Sequence, residues 1–167
     1  AILLNAGKIA MEGAPEAVMD YYNAMLADHQ NQNVTQTALE DGKVQTRSGT
    51  GEAEVTDIAL MDTAGRALEV VAVGQPVILR VSVQTHANIP RLVLGYGLKD
   101  RLGQVIYGTN TDLTQQALEN VEAGNRLRFD IHFPANLGPG TYSIQTALTS
   151  SDTHLVNNFE WPDLALV

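Results

Sequence analysis

The sequence has no cysteine, which removes thiol nucleophiles, thiolate metal sites and disulfides together. Aromatic residues make up only 5% of the chain, and basic residues are scarce, with 10 Lys and Arg against 19 Asp and Glu for a formal net charge of -9. That balance repels phosphate backbones and anionic headgroups, so neither nucleic acid nor a direct membrane surface is an expected partner. No apolar run approaches the ~20 residues of a membrane-spanning helix. The opening Ala1-Ile2-Leu3-Leu4 lacks the basic flank and cleavage pattern of a signal peptide. An initiator Met is also lacking, and the chain reads as a piece of a larger protein. Histidines 29, 86, 132 and 154 have no metal-ligand spacing, and the loops at Asp62, Asp100 and Asp152 lack the dense oxygen alternation of a calcium site. No metal and no cofactor is expected. Glu119, Glu122 and Asp130 read as solvated charges rather than a hydrolytic carboxylate pair, so no catalytic residue is assigned.

What the chain does have is a core-forming content, with 44% hydrophobic and 17% charged residues. Ile2-Leu3-Leu4 and Lys8-Ile9-Ala10-Met11 flank Asn5-Ala6-Gly7, which predicts a β-hairpin. Pro15 and Glu16 suit a first helical turn, and Val18, Tyr21, Tyr22, Met25 and Leu26 recur at helical spacing. From Asp28 to Gly51 apolar residues are few and unperiodic, which reads as a linker.

From Glu52 onward the period is that of strands. Val77, Leu79, Val81 and Val83 alternate with polar partners, as do Leu127, Phe129, Ile131 and Phe133. Leu92, Leu94, Tyr96 and Leu98 alternate with Val93, Gly95, Gly97 and Lys99. Asp62-Thr63-Ala64-Gly65 and Asp100-Arg101-Leu102-Gly103 repeat one hairpin turn, and Tyr142 after Leu137-Gly138-Pro139-Gly140 is a candidate corner tyrosine. About seven strands with no helix among them predict an all-β fold: an immunoglobulin-like antiparallel β-sandwich with a short N-terminal hairpin and helix appended. The expected organisation is an appendage over 1–29, a linker over 30–51 and the sandwich over 52–167.

The opening AILLNAGKIAMEGAPEAVMDYY resembles the closing hairpin and helix of an ABC ATPase domain, carried by Leu4, Gly7, Lys8, Ile9, Gly13, Pro15, Glu16 and Val18. Beyond it, Asp57, Asp62, Gly65, Gly74, Gln75 and Pro76, with YGLKDRLGQVIYGTNT over 96–111 and LGPGTYSIQTALTS over 137–150, resemble the C-terminal domain of Wzt-type ATPase subunits. The resemblance implies a non-catalytic domain that binds O-antigen polysaccharide in the cytoplasm, in some members at its non-reducing end. It also implies a transmembrane exporter subunit as partner, reached through the parent ATPase at the inner face of the inner membrane. One departure stands out: no G-x-x-x-x-G-K-[ST] phosphate loop and no ABC signature occurs, so this stretch is not expected to hydrolyse ATP.

A sugar site needs planar amides, hydroxyls and an open surface. With Leu92, Leu94, Tyr96 and Leu98 inward, Gly95 and Gly97 would leave an outward trough, widened by Gly108. Lys99, Asn110, Ser143 and Gln145 project on that face by parity, and Tyr107 and Trp161 are candidate aromatic platforms. The competing reading gives the glycines to a bulge, Trp161 to packing, and Thr109-Asn110-Thr111 to turn and ladder bonding. An assembly role is the alternative function, with a homodimer formed through edge strands or an exchanged C-terminal strand.

Overall fold

The computed structural model describes residues 1–28, 33–38, 44–150 and 153–166. The chain opens with a hairpin of β1 (Ile2–Asn5) and β2 (Lys8–Glu12), followed by helix α1 (Pro15–Asp28). Ala6 and Gly7 both take positive φ, 48° and 76°, which closes the tight turn expected at Asn5-Ala6-Gly7. Leu3 pairs with Met11 on one side of this hairpin, while Ile2, Leu4 and Ile9 face out and are 57–66% exposed.

Next come β3 (Asn33–Ala38) and β4 (Val44–Gly49), paired antiparallel. These two strands lie inside the stretch expected as a linker, and β4 pairs with the last strand of the sandwich. Their apolar content is sparse because a strand toward a sheet margin is held by ladder hydrogen bonds rather than by an apolar stripe.

The sandwich proper follows as β5 (Ala53–Met61), β6 (Val70–Val71), β7 (Pro76–Thr85), β8 (Ile89–Lys99) and β9 (Val105–Asn110). It is completed by β10 (Leu118–Val121), β11 (Arg126–Pro134), β12 (Gly140–Ser150) and β13 (Thr153–Leu166). One sheet has the order β11-β7-β5; the larger has β10-β8-β12-β13-β4-β3, with β9 also on β8 and β6 on β13. Named pairings are antiparallel except β6 with β13. A bulge interrupts β5 between Val55 and Asp57.

Period-2 alternation sends Val55, Ile58, Leu79, Val81 and Val83 of one sheet against Leu92, Leu94, Leu98, Ile144 and Leu148 of the other. The packing leaves a void of only about 10 Å³ among Leu60, Val71, Val77, Leu98 and Tyr142, too small for anything beyond a single water. Tyr142 donates its hydroxyl to the Gly138 carbonyl at 2.8 Å, which is the corner bond its position predicts.

The repeated turns share one mechanism. Asp62 Oδ1 accepts from the Ala64 and Arg66 amides, and Asp100 Oδ1 accepts from those of Leu102 and Gln104, each at 2.8–3.0 Å. Gly65 and Gly103 take φ of 81° and 78°, the left-handed conformation each hairpin needs to close. Hydrogen bonds from the Arg66 backbone and side chain hold the Asp62 carboxyl below its usual range. A depressed carboxylate stabilises the fold above its unfolded pKa of ~3.9 and loses that contribution as pH falls through the lower folded value. Thermal melts across acidic pH are therefore expected to show Tm falling below about pH 4, with a shallower fall in Asp62→Asn. An unchanged slope in the variant would remove Asp62 from the acid response.

Candidate functional site

The outward face of the larger sheet holds most residues proposed from sequence. Register places Gly95 beside Asn110 and Ala147, Gly97 beside Gly108 and Gln145, and Lys99 beside Ser143. Their neighbours Leu94 and Leu98 lie in the core, so these residues do face away from it. The face is nevertheless not an open trough. A Cβ built at Gly97 would sit 3.2 Å from Gln145 Nε2, 3.3 Å from Gln145 Cγ and 3.3 Å from the Tyr107 carbonyl oxygen. Gln145 thus fills the space the glycine leaves, and Gly97 is buried.

Lys99 is also sealed. It is only 5% exposed, and its Nζ lies 3.4 Å from Asp20 Oδ1 on helix α1, itself 3% exposed. A cation out of water is retained where a carboxylate compensates it, and here that carboxylate comes from 79 residues away in sequence. The helix therefore covers the Lys99 end of the face. Gln145 thus occupies the trough expected at Gly97, and Lys99, expected to project on the outer face, is paired with Asp20 beneath the helix. A concrete consequence follows: Gly97→Val must displace Gln145 and crowd β9, at a cost of about 1–3 kcal/mol. Chemical denaturation of the variant checks this, and wild-type stability would refute it.

The remaining proposed residues divide. Asn110 Oδ1 accepts from the Leu113 amide at 2.8 Å, so its carbonyl belongs to a turn. Thr111 carries on the ladder, its amide donating to the Leu94 carbonyl at 2.9 Å and its Oγ1 accepting from the Leu94 amide at 3.0 Å. The Gly108–Thr111 run thus has the turn-and-ladder role. Ser143 and Gln145 are half-buried. Tyr107 pairs with Leu98 and so lies on the opposite, core-directed side, where its ring is 51% exposed and 6.3 Å from that of Tyr96. Burial first, and Tyr107 second, push the Tyr96 hydroxyl up to about 12, so it remains a neutral donor. Trp161 stands opposite Ile144 on β13, and its side chain lies outside the described residues.

A different surface is open. The outward face of β5, β7 and β11 carries a groove of about 630 Å³ lined by Glu54, Thr56, Ser82, Val83, Gln84, Arg126, Leu127 and Arg128. Its geometry follows from register: Glu54, Gln84 and Arg126 form one row across the strands, and Asp57, Ser82 and Arg128 form the next. Val55, Val83, Leu127 and Val81 alternate with them toward the core, which forces the polar set outward.

Intramolecular bonds hold this polar set in place. Arg126 Nε donates to Gln84 Oε1 at 3.2 Å, and Gln84 Nε2 donates to the Thr85 carbonyl at 3.1 Å. Thr56 Oγ1 donates to the Ser82 carbonyl at 3.2 Å, and His86 Nε2 pairs with Glu54 Oε1 at 3.2 Å. Below them Arg80 grips Asp130 in a fork at 2.7 and 2.9 Å, while Arg128 Nε lies 3.4 Å from the same carboxylate. The Arg80 hydrogen bond is the main cause that depresses Asp130 below the usual carboxylate range, with burial opposing it. Pre-positioned planar amides and guanidinium groups beside hydroxyls suit a hydroxyl-rich ligand. Sequence reading passed over these residues because each is an ordinary outward position. Only the pairing of three strands far apart in the chain assembles them. Among the described residues no cluster of metal-ligating side chains occurs, and no helix is long and apolar enough to cross a membrane.

Comparisons with known proteins agree with this architecture. The family profile described as Wzt C-terminal domain matches residues 44–167. Among solved structures, a crystal structure of the C-terminal domain of Wzt superposes with TM-score 0.67 at 22% identity, covering 74% of this chain and 78% of that one. A Pseudomonas fluorescens alkylpurine DNA glycosylase AlkC bound to DNA matches with TM-score 0.46 at 12% identity over 70% of this chain and 30% of that one. A β-glucosidase from Listeria innocua gives 0.41 at 11% identity over 75% and 16%. At those scores neither informs function. The search of curated proteins finds no match.

Proposed function

The chain belongs to the Wzt C-terminal domain family, the non-catalytic C-terminal domain of an ABC-exporter ATPase subunit for O-antigen, and from that membership we propose that it recognises the exported polysaccharide. The observation that carries this reading is the open polar groove across β5, β7 and β11, whose amides, hydroxyls and guanidinium groups are already held in place. Recognition takes place in the cytoplasm at the non-reducing end of the glycan, and selects the chain before the exporter's transmembrane subunit takes it. The glycine-bearing face of the other sheet, with Gly95, Asn110, Ser143 and Gln145, takes no part in this reading. In the same reading, residues 1–29 close the ATPase domain, which covers the exposed Ile2, Leu4 and Ile9.

The test is a titration of the purified chain with polysaccharide released from the lipopolysaccharide of its own strain, beside polysaccharides of unrelated strains. Selective binding of the first is expected. Equal binding of all, or of none, ends the recognition reading.

A second reading has its own observation. Edge strand β9 exposes Val105, Ile106 and Tyr107 by 44–52% and carries no charged residue, so it is an unguarded edge suited to pairing copies of the ATPase. In that case light scattering shows a concentration-dependent dimer that Ile106→Lys abolishes.

A further inference from the structure

The groove's charges are arranged in a way that constrains its ligand. Strand β5 contributes Glu54 to one wall, with Asp57 beside it on the same outward face, and strand β11 contributes Arg126 and Arg128 to the other, with Ser82 and Gln84 of β7 between them. The walls stand about 10 Å apart, two strand spacings. Adding the ion pair of Arg80 with Asp130 at its foot, the face holds three arginines and three carboxylates, so the local charge sums to zero. Around it the whole chain carries -9.

Such a surface gives a polyanion no net attraction. Each arginine is engaged through its Nε, Arg126 by Gln84 and Arg128 by Asp130, which leaves terminal N–H donors but offsets its charge, and any further negative charge meets Glu54, Asp57 and the field of the whole chain. A polycation would meet the arginine wall. An uncharged polyol suits both walls at once: carboxylates accept hydrogen bonds from its hydroxyls, guanidinium groups donate to its oxygens, and Gln84 does both. Resting on the recognition reading above, we infer that the groove between β5 and β11 selects an uncharged, hydroxyl-rich glycan segment and discriminates against acidic polysaccharide.

Charge is isolated from shape by modifying one polymer in two ways. Polysaccharide from the chain's own strain is lightly succinylated, or acetylated to the same degree, and each form is titrated into the full chain at low and high salt. Unmodified and acetylated polymer are expected to bind alike, with affinity nearly independent of salt. Succinylated polymer is expected to bind at least about 5-fold more weakly at low salt and to recover as salt screens the repulsion. Glu54→Gln is expected to narrow that gap. Succinylated polymer binding as well as acetylated, or unmodified polymer losing affinity steeply with salt, overturns the inference while leaving recognition itself intact. Failure of unmodified polymer to bind at any salt instead overturns the recognition reading, and the inference with it.

Discussion

Truncating Gln84 and Arg128 together to alanine is expected to weaken polysaccharide binding by roughly 10- to 100-fold, the range of one or two hydrogen bonds to charged or amide groups. Both side chains stand on the solvent side of the three-stranded sheet, and Arg128 is 63% exposed, so the fold has little to lose. Gln84 is the centre of the site: it accepts from Arg126 and sits between Glu54 and Arg126 in the cross-strand row. Its removal frees Arg126 as well as deleting an amide. Gln145→Ala on the opposite sheet is expected to change affinity by a few-fold at most. Calorimetric titration separates the two. Equal losses in both variants would mean that the two faces act together.

The largest effect on stability is expected from Leu79→Ala, at about 2–5 kcal/mol. Leu79 is fully buried at the centre of β7, the middle strand of its sheet, paired with Leu60 on one side and Ile131 on the other. Leu79 is fully enclosed by the core cluster, so the deleted methyl groups leave a cavity that the sandwich closes only in part. A fall in Tm of roughly 5–15 °C is the calorimetric readout for a chain of this size. A shift under 2 °C would mean that the packing is looser than described.

The sequence made the sandwich legible because its signals are local. Alternation in Val77–Val83 and Leu127–Phe133 names the inward residues, and the Asp-x-x-Gly turns mark where strands reverse. Glycine in β8 was legible as a cause of empty space but not as to what fills it. Gln145 over Gly97, and Asp20 over Lys99, are contacts between distant segments, 48 and 79 residues apart. The strands at 33–38 and 44–49 were missed because pairing partners, not composition, make them strands. The groove was missed for the same reason: Glu54, Gln84 and Arg126 become neighbours only once β5, β7 and β11 are known to pair.

Recognition in this form requires the three-stranded sheet, not the glycine-bearing one, to be the surface that meets sugar. Backbone amide shifts of the isotope-labelled chain, followed by NMR during titration with its own strain's polysaccharide, test this most directly. The predicted result is saturable movement confined to 54–57, 82–84 and 126–128. Movement centred instead on 95–99, 108–110 and 143–147, or none at saturating polymer, would contradict it.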